Sequence, residues 1–240
     1  MDYCVQDIVS DLPLTNGGYP RRSLNTIRTI YVHHSVTPSP GVNAVESVER
    51  GIIESIHRYH QQIGWPGIGY HFCVFPSGRI YKVGLTDEVR YHTGGEDDAS
   101  TPLVVSYHNE TGIGICLIGD FTSEAPGEEQ LGATQWLVQQ IRYLIPWSID
   151  VRGHRDVMAT ACPGDTWEEW RQQLDTPTEG EMDKATLTNA LNVLWGTSEM
   201  LADIEDVFGA HLDGQEWYSQ QAQNAIVAIK GELKKVGIDL

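Results

Sequence analysis

Between residues 29 and 152 short β-rich runs alternate with longer stretches of helical period, and this alternation constrains the fold more than any other feature of the chain. Residues 29–34 (TIYVHH), 70–75 (YHFCVF), 79–83 (RIYKV), 112–119 (GIGICLIG) and 148–152 (SIDVR) are rich in the side chains that suit a pleated, half-buried surface, and are predicted strands. Pro76, Ser77 and Gly78 predict a tight hairpin between the second and third. Val45, Val48, Ile52, Ile56, Tyr59 and Ile63 recur at steps of three and four, as do Ala133, Leu137, Ile141 and Leu144 within 128–145, and these predict two amphipathic helices. Strands interleaved with helices specify an α/β domain whose sheet is covered on its faces, with ligand sites where loops leave the strand ends.

Composition narrows the classes of function. At 240 residues the chain can bury one large core, or one domain with a small companion. Its 40% apolar and 20% charged residues exclude extended disorder. Sixteen Lys and Arg face 33 Asp and Glu, and the resulting net charge of -17 repels polyanions, which argues against nucleic acid and anionic membrane surfaces as partners. No apolar run approaches the length of a membrane span, and the first thirty residues lack the features of a secretory signal, so a soluble protein made in a cytoplasm is expected.

Residues 175–180 (DTPTEG) interrupt both patterns and are read as a linker, which leaves an N-terminal extension at 1–27, the α/β domain at 28–174 and a C-terminal region at 181–240. In that region Leu187, Leu191, Leu194, Leu201, Ile204 and Phe208 form one helical stripe and Ala222, Ile226, Ile229, Leu233 and Val236 another, separated at Gly209 to Gly214. A small helical hairpin is expected there. Two helices bury too little apolar surface to stand alone, so the stripes are expected to pack on the α/β domain or to mediate self-association, with engagement of a wall or envelope component as the alternative.

Four cysteines at 4, 73, 116 and 162 are too few and too scattered for a disulfide-stapled scaffold. Cys73 and Cys116 sit in predicted strands and are expected to be packing thiols, whereas Cys162 sits on a Pro- and Gly-containing loop. That loop belongs to GHRDVMATACPGD at 153–165, which places His154 and Cys162 eight residues apart directly after a strand. Imidazole and thiolate are preferred donors for zinc, and a loop is needed to fold both onto one centre; a nucleophilic Cys-His dyad would use the same residue types. A third donor is available at the end of TIYVHH, where His33 and His34 point to opposite faces, so one of them can look toward the loop. Two His and one Cys leave a fourth tetrahedral position for water, as catalytic zinc sites require. His57 and His60, three apart on a predicted helix, are assigned to packing.

In order along the chain, TIYVHHSVT, GWPGIGYHF, SGRIY, HNETGIGICLIGDF and GHRDVMATACPGD resemble the zinc-dependent N-acetylmuramoyl-L-alanine amidases, a family that includes phage lysozyme-type amidases and the peptidoglycan recognition proteins. The resemblance covers roughly residues 28 to 170 and implies a central mixed β-sheet flanked by helices. It implies that His33 joins His154 and Cys162 on one catalytic zinc ion, and that the Tyr70 phenol bonds the zinc-bound water or the reacting carbonyl. Thr160 stands where some phage members carry lysine, so a neutral hydroxyl replaces a full positive charge beside the developing oxyanion. His92 and Asn109 resemble groove-lining positions that hold a muramyl sugar and its stem peptide. The implied reaction is hydrolysis of the amide between N-acetylmuramic acid and L-alanine in peptidoglycan, with no carboxylate identifiable as general acid or base. An endolysin made in a host cytoplasm and released to the wall is the expected setting. The alternatives are a cytoplasmic enzyme recycling muropeptides and a non-catalytic peptidoglycan-binding module, and retention of Cys162, which non-cutting members typically lack, speaks against the second.

Overall fold

A computed structural model of the protein describes residues 3–93, 107–145 and 149–176, with only the backbone described at Tyr143 and Leu144. The predicted hairpin at 181–240, and the linker beyond Thr176, lie outside the described residues. Six strands, β1 (Val5–Asp7), β2 (Thr29–His34), β3 (Phe72–Val74), β4 (Ile80–Lys82), β5 (Gly112–Leu117) and β6 (Asp150–Gly153), form one sheet in the order β1-β4-β3-β5-β2-β6. The β3–β4 hairpin is antiparallel and every other neighbouring pair is parallel, so the sheet is mixed. Helices α1 (Glu46–Gln62), α2 (Tyr107–Thr111), α3 (Glu128–Leu144) and α4 (Trp167–Asp175) connect and flank it. This is the α/β architecture that the alternating pattern predicts. Among the described residues no helix is long and apolar enough to cross a membrane.

The central strands β2 and β5 are buried along their whole length, which is why TIYVHH and GIGICL read as near-continuous runs instead of alternating ones. On one face α1 supplies Ile53 to a core with Cys73, Tyr81, Cys116 and Ile118. Side chains pointing the other way, such as Val74, are equally buried, and Gln130 of α3 reaches in to donate to the Val74 carbonyl (2.8 Å). The β3–β4 turn closes at Gly78, whose φ of +81° disfavours any side chain and whose N–H donates to the Phe75 carbonyl (2.9 Å).

Helix α1 lies where the periodicity predicts it but is rotated about its axis. Of the apolar positions that define its predicted face, Val45, Val48, Tyr59 and Ile63 are 59, 48, 58 and 48% exposed. The buried face is Glu49, Ile53, His57 and His60. Each polar member has a partner waiting in another element. Glu49 accepts from Ser77 Oγ (2.5 Å), Tyr81 Oη (2.8 Å) and Arg79 Nη1 (3.2 Å). His57 Nδ1 accepts from the Ile68 amide (3.2 Å) and His60 Nδ1 from the Gly69 amide (3.0 Å), so both histidines pin the loop that leads to Tyr70, as packing residues. A hydrophobic period cannot register such pairing, because satisfied polar groups bury as readily as apolar ones.

Three elements have no sequence forecast, the five-residue α2 (Tyr107–Thr111) among them. β1, within the expected N-terminal extension, aligns Val5 with Ile80 along the edge of β4, and at three residues it is too short to display a period. α4 is held by Trp167, Trp170 and Leu174, all buried, with the two indoles packed edge to face at 4.7 Å. It ends at Asp175, where the pattern breaks.

Candidate metal centre

The parallel pairing of β2 with β6 brings the two donor-bearing segments together. Val32 lies in register with Gly153, so the next residues, His33 near the end of β2 and His154 just past β6, stand side by side, with ring centroids 4.7 Å apart. His154 opens a short 3-10 turn, His154–Asp156, from which the chain runs to Cys162. That loop is tied across its base: the Arg155 amide donates to the Cys162 carbonyl (2.7 Å) and Arg155 Nη1 to the Gly164 carbonyl (2.7 Å). Asp156 Oδ2 accepts from the Gly153 amide (2.8 Å) and from Trp167 Nε1 (3.1 Å), joining the turn to α4.

One donor atom from each of His33, His154 and Cys162 lies within 4.8 Å of the other two. Cys162 Sγ stands 3.7 Å from His33 Nδ1. Two ligands on one tetrahedral zinc, at Zn–S of about 2.3 Å and Zn–N of about 2.05 Å, are separated by about 3.6 Å. The spacing is therefore that of co-ligands, and the donor set of two imidazoles and one thiol fits the ion. His33 is 1% exposed, while His154 and Cys162 are only partly covered, which leaves the group reachable from one side. Burial holds the His33 pKa well below its ordinary value, helped by His154, His92 and His34, and lowers that of His154 to about 4. Burial also pushes the Cys162 thiol up to about 12, against the His34 amide, which donates to its sulfur (3.4 Å). Neutral imidazoles and a thiol whose charge lacks water form a pocket that a divalent cation complements, because binding displaces the thiol proton and neutralises the anion.

The remaining expected site residues fall in different places. His34, on the opposite face from His33, accepts the Phe121 amide at Nδ1 (3.0 Å) and so fixes the turn after β5. The Tyr70 ring lies 5.4 Å from that of His33. Burial first, then the Cys116, Cys162 and Cys73 thiols, hold the Tyr70 phenol well above its ordinary pKa, so it is a neutral hydrogen-bond donor. Thr160 Oγ1 accepts the Cys162 amide (3.2 Å), which shapes the ligand loop and leaves the hydroxyl proton available. His92 and Asn109, the expected groove-lining residues, are both buried. Asn109 Oδ1 accepts from the amides of His92 (3.0 Å) and Thr93 (2.8 Å) and from Thr93 Oγ1 (3.1 Å). His92 Nδ1 is 3.3 Å from His33 Nε2, and its own Nε2 is 3.3 Å from the Gly112 carbonyl.

Room for this interior comes from glycine. A Cβ at Gly114 would stand 2.6 Å from the His92 ring, and one at Gly112 would meet the Tyr31 ring at 2.6 Å. The alternating glycines of GIGI are thus the local signal for a layer of rings against β5. His71, absent from the expected site, completes that layer: it accepts the Gly114 amide at Nδ1 (3.0 Å) and donates from Nε2 to the Glu88 carbonyl (3.0 Å).

Comparison with known proteins gives a concordant result. The family described as N-acetylmuramoyl-L-alanine amidase matches residues 23–165. The human N-acetylmuramoyl-L-alanine amidase is 29% identical over 152 residues, covering 62% of this chain but 24% of the human protein, so the chain spans about a quarter of that relative. The endolysin of Enterobacteria phage K11 is 26% identical over 145 residues, covering 58% of this chain and 82% of the endolysin. Among solved structures, bumblebee PGRP-SA superposes with a TM-score of 0.55 at 25% identity, covering 70% of this chain and 96% of that one.

Proposed function

The chain belongs to the N-acetylmuramoyl-L-alanine amidase family, and from that premise we propose that it hydrolyses the amide between N-acetylmuramic acid and L-alanine in bacterial peptidoglycan, using a zinc ion held by His33, His154 and Cys162. The observation that carries this reading is the convergence of three donor atoms, cysteine included, at a partly open site. The chemistry a zinc ion supplies when bound is a hydroxide available near pH 7 and polarisation of the scissile carbonyl.

The protein's own groups then have distinct tasks. Tyr70, neutral and buried beside His33, donates its hydroxyl hydrogen to the oxygen on which negative charge develops. Thr160 holds the cysteine loop through the Cys162 amide and retains its own hydroxyl proton for donation. Neither group adds a positive charge, so electrostatic stabilisation at this centre falls on the metal. His92 and Asn109 serve this site from the interior. A phage endolysin acting on the wall is the biological role we favour, on the likeness to the K11 endolysin over most of that protein's length. The C-terminal region at 181–240 is assigned to packing or self-association.

Digestion of purified peptidoglycan, with and without a chelator, tests the reading. Newly exposed N-terminal L-alanine that disappears on chelation is the expected product. Binding to the wall without new amino termini would instead make the protein a peptidoglycan-binding module.

A further inference from the structure

We propose that His92 is a positioning residue that locks His33 in the tautomer with hydrogen on Nε2, which bares Nδ1 for the metal. The inference rests on the zinc reading of the site and extends it to a residue that touches neither metal nor substrate. It follows from hydrogen-bond direction together with the burial of His92. The Gly112 carbonyl can only accept, so His92 Nε2, 3.3 Å away, carries a hydrogen. His92 is 5% exposed, and its ring meets the rings of Tyr31, His33 and His71 and the Gly112 carbonyl, with no carboxylate among these partners, so a second proton on it would be a buried, unpaired charge. Its Nδ1 is therefore a lone pair. That lone pair faces His33 Nε2 at 3.3 Å, so His33 must donate there. A neutral His33 with hydrogen on Nε2 has none on Nδ1, and Nδ1 is the atom that stands 3.7 Å from Cys162 Sγ.

The seat of His92 is built for this task. Its ring lies against Gly114, where a Cβ would collide with it, and packs 5.6 Å from the Tyr31 ring and 5.7 Å from the His71 ring. Its backbone is fixed by Asn109 Oδ1, which also gathers Thr93. Metal-bound histidines usually donate their second nitrogen to a carboxylate or a carbonyl, and such partners set ring orientation and ligand basicity. Here an imidazole is interposed, so the strand β5 carbonyl at Gly112 sets the tautomer of a ligand on β2 through His92. With the wrong tautomer, Nδ1–H would point at the site and His33 could not ligate without turning its ring out of the buried slot.

The test combines a measurement on the unsubstituted protein with two variants. Long-range 1H–15N correlation spectra of the metal-free protein at pH 7.5 should show His33 with hydrogen on Nε2 and His92 with hydrogen on Nε2. His92→Phe keeps ring volume and removes both nitrogens; it should shift His33 toward the Nδ1–H form and weaken zinc binding, read by competition with a chelating dye, by about 10- to 100-fold. His92→Gln, whose carboxamide carries one acceptor and one donor, should recover most of that loss. A His33 with hydrogen on Nδ1 in the unsubstituted protein overturns the proposal, and so does a folded His92→Phe protein that binds zinc as tightly as the original. Because the spectra require no substitution, a misfolded variant cannot hide the answer. A protein that shows the expected tautomers yet binds no zinc supports the lock and refutes the metal reading, so the two can fail separately.

Discussion

Gly164 offers the most direct test of how the ligand loop is held. Its φ is +134°, a conformation open essentially to glycine alone, and a Cβ there would stand 1.9 Å from the Phe121 carbonyl oxygen. Real Cβ contacts do not close below 3.0 Å, so Gly164→Ala must separate two backbone segments by about 1 Å. Neither is free to yield. The Phe121 amide is committed to His34 Nδ1 (3.0 Å) and the Asp165 amide to the Thr122 carbonyl (3.0 Å). The dihedral strain alone costs about 1–3 kcal/mol, and loss of one of these hydrogen bonds adds about 1 kcal/mol, for a total of about 3 kcal/mol. Cys162 lies two residues back, and a ligand displaced on that scale exceeds the roughly 0.2 Å tolerance of a zinc site. Urea unfolding of the metal-free protein should show the stability loss, and dye competition a loss of zinc affinity in the same variant. An alanine protein within about 0.5 kcal/mol of the original, with unchanged zinc affinity, would refute the claim that backbone contact with Phe121 positions the cysteine.

Four further outcomes are expected. Gly51→Ala, in α1 where a Cβ meets nothing within 4 Å, should raise stability by about 0.5–1 kcal/mol in the same unfolding assay; a loss would mean that the exposed side of α1 is covered in solution. His60 has its pKa lowered from 6.5 to about 4, by burial and then by His57, so between those values the unfolded chain binds the extra proton. Stability should therefore be full above about pH 6.5 and fall as pH drops toward 4, by up to about 3 kcal/mol from this group, and His60→Asn should flatten the melting-temperature profile in that window; an unchanged slope refutes the assignment. Cys162→Ser should lose most bound zinc by metal analysis, and full occupancy with unchanged activity would remove Cys162 from the site. Tyr70→Phe should keep its zinc and lose turnover on peptidoglycan, whereas original rates would leave Tyr70 a packing residue.

What the sequence determined alone is what short-range pattern can encode. The strand TIYVHH, the hairpin at Pro76 to Gly78 and the helices at 46–62 and 128–144 are legible because residue period and turn chemistry are local properties. The donor types at His33, His154 and Cys162 are legible because soft-metal chemistry selects few side chains, and the ordered segments of the family resemblance single out His33 from His34. Only the tertiary structure decided which face of α1 is buried, since Glu49, His57 and His60 are paid for by partners in the β3–β4 hairpin and the loop at Ile68 and Gly69. It decided that β1 joins the sheet, because a three-residue strand exists only through the neighbour it pairs with. It also decided the place of His92 and Asn109. The resemblance assigns them to a groove but says nothing of what holds them: the glycines of β5 open a slot for one ring, and three donors converge on the other side chain's oxygen. A hydrogen bond has two ends, and when the far end lies on another strand, as the Gly112 carbonyl does for His92, no local reading can supply it.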